Sequence, residues 1–90
     1  MFSFEISISG DISLILFNVE QKITKEGGKF VGTKESGTFS GKYKKAVFSG
    51  IIEGKYTVNG DIVIITITKM TGPATQKLVE EEIRDYFKQK

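Results

Sequence analysis

Ninety residues with a net charge of +2, 39% apolar residues and a single proline describe an ordered chain, long enough for one two-layer core and too short for two. Cysteine and histidine are absent, which excludes a disulfide framework, thiolate metal sites and the imidazole that serves most acid–base catalysis. The charge is uneven: residues 29–57 hold six lysines against two acids, whereas residues 1–28 hold two lysines against four acids.

Phe2 to Ser9 alternates apolar and polar residues, the period of a half-buried strand with Phe2, Phe4, Ile6 and Ile8 on its inner face. Met1 to Gly10 has no basic n-region and contains Glu5, so it does not read as a signal peptide. Asp11 stands where a helix N-cap belongs, and Ile12, Ile15, Leu16, Val19 and Ile23 follow as one helical stripe that Gly27-Gly28 would close. The alternative is a hairpin turn at Gly10-Asp11 with residues 12–17 as a strand, which leaves residues 12–25 open between helix and strand. On the helical reading Leu14 and Phe17 lie opposite the stripe, as ordinary exposed apolar residues or, for Phe17, folded over a sheet edge.

The middle of the chain carries three Phe-x-Gly triplets at nine-residue spacing: Phe30-Val31-Gly32, Phe39-Ser40-Gly41 and Phe48-Ser49-Gly50. Residues two apart share a face of a strand, so each triplet sets a ring beside a bare glycine, as expected of three consecutive strands in a meander. Turns at Glu35-Ser36 and Lys44-Lys45 would place Phe30 opposite Gly41, Gly32 opposite Phe39, Phe39 opposite Gly50 and Gly41 opposite Phe48. A competing type I turn with a glycine bulge over Lys34–Thr38 shifts the first pairing by one residue. In the reciprocal register the rings are expected on the core face.

Asn59-Gly60 is the favoured pair for a two-residue hairpin turn. It puts Ile52, Tyr56, Val58, Val63, Ile65 and Ile67 on the core face with Gly54 opposite Ile65, and leaves Ile51, Ile62 and Ile64 as a small apolar cluster on the other face. Gly72-Pro73 ends the last strand and is read as the start of a helix, Pro73 suiting its first turn. Val79, Ile83 and Tyr86 form the expected buried stripe of that helix, flanked by Leu78 and Phe87, with Glu80 and Arg84 paired outside. The predicted fold is α+β: one domain over residues 1–90, two layers, a single twisted antiparallel sheet of four to five strands and two helices on one face, in the order β-α-β-β-β-β-α.

Little in this pattern points to catalysis. Glu80, Glu81 and Glu82 diverge by about 100° per residue on a helix, so they do not converge on a cation; Glu82 alone falls within the apolar arc and is placed at its rim. No phosphate-binding glycine loop occurs, and Ser40 and Ser49 have no histidine to activate them. The chain is read as non-enzymatic, with no cofactor and no metal.

Three binding readings remain. The element order resembles a cut-down helix-grip (START-like) architecture, a class that binds lipids and other apolar ligands; the resemblance rests on element order and the sheet-to-helix ending alone, and carries over no ligand and no site. A curved sheet gripping the C-terminal helix is expected to leave an apolar cleft, for a small ligand or a protein partner, at Phe39, Phe48, Tyr56 and Tyr86. The second reading is self-association through Ile51, Ile62 and Ile64. The third, a lesser alternative, is single-stranded nucleic acid held by Lys29, Lys34, Lys42, Lys44, Lys45 and Lys55. No apolar run is long enough to span a membrane, and the chain is expected to be soluble and cytoplasmic.

Overall fold

A computed structural model describes residues 2–45, 48–72 and 75–87, with the side chains of 43–45, 48 and 49 left out of that description. The elements run β1 (Phe2–Ser7), α1 (Ile12–Lys25), β2 (Lys29–Gly32), β3 (Ser36–Lys45), β4 (Phe48–Asn59), β5 (Ile62–Met70) and α2 (Gln76–Tyr86). All five strands form one antiparallel sheet in the order β1-β5-β4-β3-β2. The α+β class and the β-α-β-β-β-β-α order expected from sequence are those of the molecule.

Residues 12–25 are helical, and the local chemistry explains why. The Asp11 carboxylate accepts hydrogen bonds from the Ser13 and Leu14 amides at 2.9 and 3.4 Å, satisfying donors that a helix start leaves free. At the other end Gly27 takes φ +88°, while the Gly28 amide bonds to the Ile23 carbonyl and the Gly27 amide to the Thr24 carbonyl. This is the paired-bond glycine terminator that turns the chain out of the helix. The stripe Ile15, Leu16, Val19 and Ile23 is buried, and Ile12 is half-buried.

The second helix starts later than Gly72-Pro73 suggests. Thr75 is the N-cap, its hydroxyl accepting from the Leu78 amide at 3.3 Å, and the helix runs from Gln76; Pro73 lies outside the described residues. Val79 and Ile83 are buried as expected, but Phe87 completes the buried stripe and Tyr86 sits half-buried beside it. Glu80 and Arg84 pair at 2.8 Å, and the Arg84 guanidinium also lies 5.2 Å from the Phe4 ring centroid, tying α2 to β1.

The sheet faces follow the alternation of the sequence, but the strand partners do not. Phe30 lies opposite Phe39, Gly32 opposite Gly37, Phe39 opposite Gly54 and Gly41 opposite Ile52. Neither the reciprocal Phe–Gly register nor the one-residue shift occurs. Lys44 and Lys45 are not a turn but are still paired within β3, opposite Ser49 and Phe48; residues 46 and 47 lie outside the described residues. The last hairpin turns at Gly60-Asp61 rather than Asn59-Gly60, with Asn59 opposite Ile62 and Gly54 opposite Ile67; a bulge beside Glu53 and Gly54 leaves Thr68 unpaired. Up to that bulge, each departure is an even number of residues. An even slip keeps every side chain on its face, so apolar patterning fixes the face and leaves the choice among even registers to the turns.

One core results. Tyr56, Val63, Ile65 and Ile67 of the central strands are at most 1% exposed beneath Val19 of α1 and Val79 of α2. Among the described residues no helix lies on the opposite face of the sheet.

Candidate functional site

Rings do cover glycines, though different ones from those expected. A Cβ on Gly54 would lie 2.7 Å from the Phe39 ring, and one on Gly37 would lie 2.6 Å from the Tyr56 ring. Phe30 instead stacks on Tyr56, ring centroids 5.2 Å apart and planes 11° off parallel. The Tyr56 hydroxyl donates to the Thr33 carbonyl, which pins the β2–β3 turn to the core. Burial, with the charge of Glu20 added, raises the pKa of that hydroxyl above its usual value.

This packing leaves little room under the sheet. Phe39 and Tyr86 meet there with Ile23 and Ile83, around two cavities of about 40 and 20 Å³. Such volumes admit a water or two, against the roughly 300–1,000 Å³ of sites that enclose a small organic ligand. Tyr56 is 1% exposed and points away into the β2–β3 turn, and the Phe48 side chain lies outside the described residues. Of the expected cleft residues, only Phe39 and Tyr86 share a space. Tyr86 instead serves as a clasp, its hydroxyl donating to the Glu26 carboxylate at 2.9 Å and its carbonyl accepting from Lys22 Nζ at 3.3 Å. Burial comes first, then the Glu26 hydrogen bond and the charges of Glu26 and Glu82, in pushing its pKa well above the ordinary tyrosine range. Glu82 itself is half-buried.

The proposed association patch divides in two. Ile62 and Ile64 face Asn59 and Thr57 on β4, whereas Ile51 lies six residues further along that strand, about 20 Å away at the strand rise. Lys29, Lys42 and Lys55 are exposed on the helix-free face, and Lys34 in the β2–β3 turn; the side chains of Lys44 and Lys45 lie outside the described residues. Glu53 sits among them, 4.0 Å from Lys69, and Phe30 and Phe39 are on the other face.

The apolar residues without cover are Leu14 at 57%, Phe17 at 55%, Val31 at 68% and Ile51 at 41% exposed. Phe17 overhangs an open groove of about 340 Å³ between α1 and edge strand β2, whose walls include Leu16, Phe30 and Tyr56 together with the charged Glu20 and Lys34. Val31 lies on the reverse side of the same strand, in a shallow dish of about 280 Å³ with Lys29 and Glu53. The reading of Phe17 at a sheet edge anticipated half of this arrangement. Val31 was missed; the signal available was a short strand leaving a helix terminator, the position of an edge. Among the described residues no three carboxylates gather as a metal site.

No protein-family model matches the chain, and no curated protein matches it in sequence. Among solved structures, a DUF4468 family protein from Bacteroides ovatus is similar in fold, with a TM-score of 0.52 and 13% identity over 79% of this chain. The chain spans 53% of that protein's length, and at this identity the likeness speaks for fold alone. Among the described residues no helix is long and apolar enough to cross a membrane.

Proposed function

We propose that this chain is a non-enzymatic protein-interaction module, working through the outer side of α1 and the neighbouring sheet edge rather than through an enclosed ligand pocket. The observation that carries the reading is the uncovered pair Leu14 and Phe17, one helical turn apart on a capped, well-packed helix, where the space under the sheet is only about 40 and 20 Å³ and the hollow of about 610 Å³ that Leu14 lines with Tyr86 and Phe87 is open to solvent. A rigid helix presenting two apolar side chains contacts a partner at low entropic cost. The lysine face is the weaker candidate, because the described rings that would stack on bases are turned inward and Glu53 interrupts the charge.

Two measurements test this. In an amide-shift NMR titration, millimolar laurate or lysophosphatidylcholine is expected to leave Ile23, Phe39, Ile83 and Tyr86 unmoved; a saturable shift there restores the pocket. In parallel, affinity capture from cell extract with wild type and with the Leu14→Ser/Phe17→Ser double variant is compared. A partner retained equally by both removes the α1 face from the proposal. Both positions are more than half exposed, so the variant is expected to keep wild-type stability within about 0.5 kcal/mol.

A further inference from the structure

The β2 edge has a chemistry of its own. The Thr33 amide bonds to the Ser36 carbonyl, so by antiparallel alternation Val31 and Lys29 are the β2 residues bonded to β3. The backbone N–H and C=O groups of Phe30 and Gly32 therefore point away from the sheet, at an edge that no other strand covers. An added strand bonded to those groups would alternate its side chains between two faces. On one face lies the groove under Phe17; on the other lies the dish holding Val31 and Lys29.

We propose that the groove between α1 and β2 takes an extended segment of a partner protein as a sixth strand. The inference rests on the interaction-module reading and deepens it. The segment is apolar at the alternate positions turned toward Phe17 and Leu16. On its other face it carries a β-branched or small apolar residue beside Val31 and an acidic residue beside Lys29. Main-chain bonds to Phe30 and Gly32 supply strand geometry, and the alternating contacts supply specificity. The edge is short, four residues, and bears Lys29, so it resists the long, flat pairing that leads to aggregation while still offering a register for a short segment.

Selection from a phage-displayed random dodecapeptide library on the intact chain, followed by NMR titration of the synthetic winners, tests the proposal. Expected winners alternate apolar residues and carry an acid, shift the Phe30 and Gly32 amides, and slow hydrogen exchange at both. N-methylating the peptide amide that faces the edge is expected to weaken binding by about tenfold or more, from one lost hydrogen bond and the added clash. Lys29→Glu, an exposed position, is expected to weaken the acidic peptide severalfold and to favour its lysine counterpart. Winners that shift Leu14 but leave Phe30 and Gly32 unmoved overturn the sixth-strand inference and leave the module reading standing, whereas winners that shift only Ile51 overturn both. A library that yields no binder overturns both. Sedimentation showing that the chain self-associates through this edge makes the occupant a second copy and overturns the partner.

Discussion

Gly37 and Gly54 are bare because rings and backbone already occupy the space of a side chain. A Cβ on Gly37 would come within 2.5 Å of the Val31 carbonyl oxygen, and one on Gly54 within 2.7 Å of both the Phe39 ring and the Thr66 carbonyl. Gly41 differs, with its nearest neighbour, the Gly28 Cα, at an ordinary 3.7 Å. Gly37→Ala and Gly54→Ala are expected to cost about 1–3 kcal/mol each, as overpacking does, whereas Gly41→Ala stays within about 0.5 kcal/mol. Urea unfolding of the three variants separates these outcomes. A large loss at Gly41 would mean that this triplet glycine is packed as closely as Gly37 and Gly54. The first two triplets were legible as strands with rings facing inward; which glycine a ring covers was not, because that depends on a partner strand.

At the scale of elements, α1 was legible because three independent local signals agree: a capping aspartate, an apolar stripe with helical period and a glycine terminator. Asp11→Ala removes two charge-assisted hydrogen bonds at an exposed helix start. It is expected to lower stability by about 1 kcal/mol, with Asp11→Asn recovering most of the loss. Thermal unfolding followed by circular dichroism reads both, and equal losses in the two variants would place the effect in the carboxylate charge rather than the cap. The start of α2 was misplaced because Pro73 signals a first turn as strongly as Thr75 signals a cap, and only the hydroxyl bond to Leu78 decides between them. In the sheet, all three hairpin registers differ from expectation by two or four residues. Side-chain alternation is blind to such slips, and the strands run on through Lys44 and Lys45, residues whose polarity suggested a turn.

For the whole molecule, the Tyr86 clasp joins α2 to α1 through Glu26 and Lys22, and its titration is a global reporter. The Tyr56 and Tyr86 hydroxyls both have folded pKa values raised above the unfolded value of about 10. Above that pH the unfolded chain binds fewer protons than the folded one, so stability is complete below about pH 10 and falls as pH rises through the folded values. Urea midpoints from pH 8 to 11.5 are expected to decline at the alkaline end, and Tyr86→Phe to decline less steeply than wild type. Parallel curves for the two would show that Tyr86 titrates in the folded chain as it does in the unfolded one.

Local and periodic properties were determined by the sequence itself: the α+β element order, the helical stripes, the inner face of every strand, and a residue set poor in catalytic groups. These follow from bonds and spacings within about a dozen residues. The tertiary structure decided what depends on chain segments meeting: the even registers, the replacement of Phe–Gly pairs by Tyr56 over Gly37 and Phe39 over Gly54, and the division of the Ile51, Ile62 and Ile64 patch. It also decided the two features on which function is argued. Whether apolar residues enclose a pocket or fill a core depends on how helices settle on the sheet, and the same composition serves either. Which strand becomes an edge depends on sheet order, and that order left Phe30 and Gly32 with their backbone groups turned outward beneath Phe17.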